Sequence, residues 1–426
     1  MYLKGSKLSL KPKRKRPNPW VILFLLAIIG GLIYLNVVVV PTIPPLFVPT
    51  PTPTRDPVSY EIEAEGLASE GKYTAAIEGY KLAINANPQN VQNYINLAKL
   101  QIYTGAFEEA KVNAENAILL NKNNAQSYGL LAWALGFQGN YLEAEVYVKQ
   151  GIQIDQNSAF VHAVYAYILA LRVTDGTIEI GTVDLAIEES RTALELDPSL
   201  LETRWARGFV LEVTSNYEDA VEQLEIANQI NNNIADLHQA LGRNYSALEE
   251  YDQAVFEFTK AYSLNPTDPD PNFYISRIYA RLGEFAKAIQ YAEQAVKDDP
   301  GSANLQANLG TMYYRNGQFN QALTYLELAV RGGVTETGVV VEGILLAYSD
   351  PIIEIYSRYG LALANVNRCN EAVQVAQALI QGVPDDEIAM FNADAIIGIC
   401  QDNLTNPPTQ TPAPTSAQSQ SETPTP

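Results

Sequence analysis

Along residues 57–386 the apolar positions recur in one order: an aromatic residue, an alanine three places later, and a second alanine seven places after that. The stretches "YTAAIEGYKLAI", "FEEAKVNAENAI", "YEDAVEQLEIAN", "YDQAVFEFTKAY", "FAKAIQYAEQAV" and "FNQALTYLELAV" all keep it. Looser copies sit at Ala144, at Ala186 with Ala193, and at Ala372. Anchored on the first alanine, the units fall at residues 76, 110, 144, 186, 220, 254, 288, 322 and 372, so six of the eight spacings are 34 residues and the others are 42 and 50. A fixed period outranks any local propensity. Each unit has the length and apolar spacing of two short amphipathic helices, in which small residues let two backbones approach while aromatic residues fill the space around them.

The unit from Ala235 to Asp268 carries Gly242 at its eighth position, Tyr245 at the eleventh, Ala254 at the twentieth, Phe258 at the twenty-fourth, Ala261 at the twenty-seventh and Pro266 at the thirty-second. In this it resembles the tetratricopeptide repeat. Glycine or alanine at the eighth place recurs as Ala64, Ala98, Ala132, Ala166, Gly208, Gly310 and Gly360, and the closing proline as Pro88, Pro198, Pro300 and Pro384. The resemblance covers nine units. It implies an all-α fold, a right-handed superhelical solenoid of helix pairs, with "DEIAMFNADAIIGICQDN" as one further helix covering the last open face. The solenoid is thus expected over residues 57–403.

Two units depart from the period. The one around Ala186 has eight additional residues, most of them in "RVTDGTIEIGTVD", which predicts an extended loop between its helices. Sixteen more, near "TETGVVVEGILLAYSD", interrupt the stacking period between the eighth and ninth units. Insertions of this kind map to loops and are tolerated cheaply.

The chain begins with a basic segment, residues 1–19, holding seven Lys or Arg before residue 18 and no acid. Residues 20–40 then run without a charge, and twenty-one residues at ~1.5 Å each span roughly 30 Å, the thickness of a bilayer core. A cleaved signal peptide shares the basic start and apolar run. Its apolar region is shorter, however, and a small-residue cleavage site follows it, whereas here the chain continues into "PTIPPLFVPTPTPTRDP". The expectation is a single-pass membrane helix with the amino terminus cytoplasmic and the repeats extracytoplasmic, because the bases crowd one side. Residues 41–56 form a Pro/Thr-rich linker, extended by its prolines. Residues 404–426, rich in Pro, Thr and Ser, have almost no apolar side chain with which to build a core, and read as a disordered tail. Such ends serve as plain spacers or carry O-linked sugar.

Net charge is −20, and beyond residue 18 the imbalance is steeper, 48 acids against 21 bases. Such a surface repels nucleic acid, so no nucleic-acid partner is expected. His162 and His238 both fall at the fourth position of their units, a packing place rather than that of a ligand or base. Two cysteines with no C-x-x-C pair exclude the usual zinc modules. No glycine-rich phosphate loop and no G-x-S-x-G elbow is present. The reading is of a non-enzyme with no cofactor and no metal: a membrane-tethered scaffold that binds a peptide or protein in its groove, the alternative being a cell-envelope assembly or export accessory that binds a glycan.

The resemblance also implies which residues face the groove, through positions two, five, nine, twelve and thirteen of each first helix. Units three to five place Trp133, Phe137, Tyr167, Trp205 and Phe209 there; units six to eight place Arg243, Phe273, Arg277, Arg281, Tyr314 and Arg315. The arginines point to an acidic segment or a terminal carboxylate as ligand. The other reading is that they neutralise acids such as Asp236 and Asp270 within the groove. Finally, consecutive helices of the implied architecture run antiparallel, which would bring Cys369 and Cys400 together as a disulfide in an oxidising compartment, two buried free thiols being the alternative.

Overall fold

The computed structural model describes residues 18–39, 55–176 and 179–405, and the chain divides after Asp56 into two compact units. In the first, α1 (Pro19–Tyr34) is continued by a π-helical turn, Leu35–Val39. The Asn18 side chain caps α1 by accepting from the Trp20 N–H, and Pro19 occupies the first turn, where no N–H is needed. The stretch Pro19–Val38 is long and apolar enough to cross a membrane. Most of the basic segment, the linker up to residue 54 and the tail from residue 406 lie outside the described residues.

The second unit is built of helix pairs. In chain order they are α2 (Pro57–Ser69) with α3 (Tyr73–Ala86), α4 (Val91–Tyr103) with α5 (Phe107–Leu120), α6 (Ala125–Phe137) with α7 (Tyr141–Ile154), α8 (Ala159–Thr174) with α9 (Thr182–Leu196), and α10 (Leu201–Val213) with α11 (Tyr217–Ile230). Then follow α12 (Ala235–Ala247) with α13 (Tyr251–Leu264), α14 (Asp270–Arg281) with α15 (Phe285–Asp298), α16 (Ala303–Arg315) with α17 (Phe319–Arg331), and α18 (Asp350–Asn365) with α19 (Cys369–Gly382). A last helix, α20 (Glu387–Thr405), packs on both α18 and α19. These pairs are units 1 to 9 below.

Within a unit the two helices cross at positions eight and twenty-four, and in units 2 to 8 the volumes there trade against each other; in unit 9 both residues are small, Gly360 and Ala376. Where position twenty-four is Leu224, Phe258 or Leu326, position eight is Gly208, Gly242 or Gly310. A Cβ on those glycines would lie 2.6, 2.8 and 2.7 Å from the facing side chain. Where position twenty-four is Ala114, Val148, Ser190 or Ala292, position eight grows to Ala98, Ala132, Ala166 or Ser276. Unit 1 pairs Ala64 with Tyr80, and there Gly79 provides the room, since a Cβ on it would sit 2.9 Å from that of Ala64. The anchoring alanines at position twenty are buried throughout.

Polar groups then fix the register. A residue with positive φ turns each first helix into its second. Glycine takes that place at Gly71, Gly105, Gly139, Gly283 and Gly317, whereas Ser215, Glu249 and Asn367 hold φ of 60°, 63° and 64°. Between units, tyrosine hydroxyls donate to carboxylates on the preceding second helix, Tyr165 to Glu145 at 2.9 Å, Tyr245 to Glu225 at 2.6 Å and Tyr313 to Glu293 at 2.5 Å. Position four reaches a carbonyl six residues back: Tyr94 to Pro88, His162 to Gln156, Arg204 to Pro198, His238 to Asn232 and Gln306 to Pro300. Both histidines are buried, and each also meets a glutamate through Nδ1 at 2.5 Å, Glu189 and Glu257 respectively. Both nitrogens of His162 therefore face acceptors, and the Glu189 carboxylate raises the pKa of its ring.

The two insertions are accommodated differently. The first is only partly a loop, because α8 continues through it to Thr174, and buried Arg172 reaches Glu145 and Glu179, both at 3.1 Å. The second leaves the stacking intact, since α17 still packs on α18. Its residues form a short antiparallel pair, β1 (Gly333–Val334) with β2 (Val340–Val341), in which Val341 is buried, followed by a segment pinned where the Tyr356 hydroxyl donates to the Ile344 carbonyl at 2.8 Å. At the far end Cys369, the first residue of α19, is joined to Cys400 of α20 in a disulfide with a Cα–Cα distance of 5.4 Å. Ile396 of α20 fills the space over Gly360, where a Cβ would meet it at 2.5 Å.

The crossing contact has a direct test. Gly242→Ala should cost about 1–3 kcal/mol by overpacking against Phe258. Adding Phe258→Ala, which reproduces the pair found in unit 2, should cost clearly less than the two single changes summed. Urea unfolding of the four proteins measures the coupling, and strict additivity would mean that the two positions do not share one volume.

Candidate interaction surface

The first helices of successive units contact one another, α4 with α6, α6 with α8, α8 with α10, and so on to α16 with α18. They form the face on which the sequence places its candidate residues. The two halves of that face are built differently.

In units 2 to 5 the face is closed. Trp133, Tyr167, Trp205 and Phe209 are buried and Phe137 is half-buried, so the aromatic stretch expected to line an open groove lies in the interior. The rings pack on one another: Trp133 and Trp205 have centroids 5.4 Å apart, Trp133 and Tyr167 6.0 Å, and Tyr167 and Phe209 4.7 Å. Units 1 and 2 seal the cluster by touching unit 5. Tyr103 packs on Trp205 at 6.4 Å and donates its hydroxyl to Glu202 at 2.5 Å, Lys99 meets the same carboxylate oxygen at 2.6 Å, and Asn231 donates to the Tyr73 hydroxyl. The Trp133 indole N–H finds no acceptor among the described residues. Leaving it unpaired costs about 1–3 kcal/mol, whereas each buried ring contributes about 1.5–3 kcal/mol. The rings outweigh the orphan, and the closed face is rigid core.

In units 6 to 9 polar side chains remain on the face. Arg243 is held by Glu212, through Nε at 2.6 Å and Nη2 at 3.1 Å, and Asn244 donates to the same carboxylate at 3.1 Å. It is therefore committed. Arg277 lies over the half-buried Phe273 ring at 5.4 Å, and Arg281 stands one turn further along α14. Both are exposed, and neither enters an ion pair among the described residues. Arg315 reaches Glu354 of unit 9 at 3.8 Å, a loose and half-exposed contact. Arg358 stacks over Tyr314 at 5.2 Å and meets Glu354 at 3.5 Å. Thus the structure brings Phe273, Arg277, Arg281, Tyr314 and Arg315 onto neighbouring first helices and separates them from the aromatic core.

The acids offered as partners for these arginines pair otherwise. The nearest ion-pair partner of Arg243 is Glu212, and of Arg315 Glu354. Both partners stand at groove positions of their own units, twelve and two, so the pairing follows from the same positions that carry the arginines. Arg358 does not, because position six is outside that set. Asp236 and Asp270 instead gather with Asp268, which accepts from Gln239 at 2.5 Å. Burial, with Asp268 and Asp270 beside it and Arg243 opposing, pushes the Asp236 carboxyl up to about 7.

Residues 125–158, 232–303 and 281–332 match family models described as tetratricopeptide repeat. No curated protein matches the chain significantly. Among solved structures, pilF of Pseudomonas aeruginosa is similar at 23% identity, over 48% of this chain and 90% of that one, with a TM-score of 0.39. A human IFIT1 dimer with PPP-AAAA is similar at 18% identity, over 64% of this chain and 71% of that one, with a TM-score of 0.45.

Asp236 makes the face pH-sensitive with a definite sign. Its folded pKa lies above the unfolded value of about 3.9, so the folded state holds the proton more tightly. Stability should fall as pH rises from about 4 through about 7. Asp236→Asn should flatten that part of the curve and give the larger relative gain at pH 8. Urea midpoints at pH 5 and pH 8 check it; equal effects at both would show that Asp236 ionises normally.

Proposed function

Because the chain is a tetratricopeptide-repeat protein, a scaffold class whose members bind protein or peptide partners, we propose that it is a membrane-tethered scaffold that takes an acidic segment of a protein partner along the face of units 7 to 9. The observation that carries the reading is the pair Arg277 and Arg281. Two exposed guanidinium groups stand unpaired among the described residues, four positions apart on one helix, in a chain of net charge −20. Here the forks stay open, and a partner's carboxylates fit them bidentately. Phe273 beneath Arg277 supplies an apolar floor.

The tether is the apolar stretch Pro19–Val38. The basic residues ahead of it favour a cytoplasmic amino terminus, with the repeats on the outer side of the cytoplasmic membrane.

Two measurements test the proposal. Protease added to spheroplasts should digest the repeats and spare the first nineteen residues; protected repeats would reverse the topology. A fluorescent polyglutamate peptide should bind the full chain with an affinity that falls as salt rises, and Arg277→Ala with Arg281→Ala should weaken it by about tenfold or more without changing the melting curve. Binding unaltered by the double change would move the partner surface elsewhere.

A further inference from the structure

Position four sets the space between a unit's two helices and the unit before it. Elsewhere it holds a long side chain: tyrosine in units 1, 2, 3 and 9, histidine in units 4 and 6, arginine in unit 5 and glutamine in unit 8. Unit 7 has Asn272, the shortest of the set. It turns to Asp298, with Nδ2 3.4 Å from Oδ2, where its counterparts in units 2, 4, 5, 6 and 8 reach a carbonyl six residues back. Position twenty-three, the usual neighbour of position four, is also drawn aside, because the Tyr291 ring stacks on Tyr279 with centroids 5.5 Å apart. The preceding unit departs as well. Tyr262 stands at position twenty-eight, where units 1 to 4 and 7 to 9 carry an aliphatic residue.

The missing volume is a cavity of about 350 Å³ between α13, α14 and α15. Its floor is Ile275, which is buried. Tyr262 and Tyr291 present aromatic surface, and Thr259, Gln290 and Gln294 complete the rim with Asn272. The amides are oriented from behind: Gln294 Nε2 donates to Asp298 at 2.7 Å and to the Tyr262 hydroxyl at 3.0 Å. With the Gln294 amide nitrogen engaged by Asp298 and Tyr262 and that of Asn272 by Asp298, the carbonyl oxygens are the groups these two amides keep for accepting, while Gln290 supplies both a donor and an acceptor.

No lining residue is charged, although charged residues are 18% of the chain. An ionic ligand or a metal would find no counter-charge in the lining. A neutral ligand that is apolar on its faces and hydroxylated at its edge matches every group present, and a volume at the small end of ligand sites, about 300–1,000 Å³, limits it to one or two rings. We propose that this cavity is a binding site for a neutral pyranose sugar, separate from the arginine-bearing face.

The test uses the full chain in lipid nanodiscs, so that no glycoside detergent competes. Saturation-transfer NMR with methyl glucopyranoside, methyl mannopyranoside and N-acetylglucosamine at millimolar concentration should show transfer to at least one, and less to glucuronic acid. Asn272→Tyr restores the side chain of units 1 to 3 and fills the cavity. It should abolish the transfer while leaving the melting temperature equal or higher, and Gln294→Ala should weaken binding at least threefold as an independent check. The Arg277→Ala, Arg281→Ala protein should bind the sugar undiminished, which separates this site from the protein-binding face. Absence of transfer to all three neutral sugars, or transfer that survives both Asn272→Tyr and Gln294→Ala, would overturn the proposal.

Discussion

Everything in the repeat domain depends on how closely two helices can cross at positions eight and twenty-four. Protein interiors are packed to crystal density, so the two side chains at a crossing share one fixed volume. The chain meets that condition differently in successive units, with glycine under Leu224, Phe258 and Leu326 and alanine over Ala114 and Val148. The residues thus vary in compensation from unit to unit, and a crossing filled without overlap lets one unit stack on the next. The tyrosine-to-glutamate staples and the position-four clamps then recur at fixed spacings because the crossing has already placed their backbones.

A regular backbone leaves the character of the inner face to the side chains it presents, and the two halves take opposite courses. Large rings at the groove positions of units 3 to 5 gain more by burial against one another than they lose in orphaned polar atoms, so the face closes. Guanidinium groups cannot follow them, since an unpaired buried charge costs several kcal/mol. Arg243 sits at the boundary between the two regimes and is tolerated there because Glu212 meets it with two hydrogen bonds. Beyond it Arg277 and Arg281 stay in solvent. The same rule that closes one half keeps the other open.

What was legible in the sequence follows the distance over which each contact acts. Helix pairs, crossing alanines and the histidines' burial depend on neighbours within a unit, and a spacing of 34 residues displays them. The placing of Trp133 and Phe209 at the inner face was also readable, but not what covers them. That depends on Tyr103 meeting Glu202, 99 residues away, and Tyr73 meeting Asn231, 158 away. No periodicity encodes such a closure, because it arises from the summed rotation of several units. The form of the insertions was not legible for a related reason. A count of extra residues gives the length added but not whether a helix absorbs it, as α8 does, or a hairpin takes it up, as β1 and β2 do.

Repetition is also what makes departures from it informative. A residue demanded by packing appears in nearly every unit, so a residue peculiar to one unit is free of that demand and available for another. By this measure unit 7 stands apart. Its first helix carries Asn272 where its neighbours carry His238 and Gln306, and it has arginine at both positions nine and thirteen, Arg277 and Arg281, where unit 6 has only Arg243 at nine and unit 8 only Arg315 at thirteen. These departures lie on one helix, α14, and in different surroundings, two guanidinium groups in solvent and an amide at a cavity. Ser276 at position eight of the same helix and Ala292 at position twenty-four are both fully buried, so the crossing is kept while other residues of the helix change. A scaffold of this kind can acquire two recognition surfaces on a single helix without altering its stacking, because the packing constraint occupies only the residues that face the crossing.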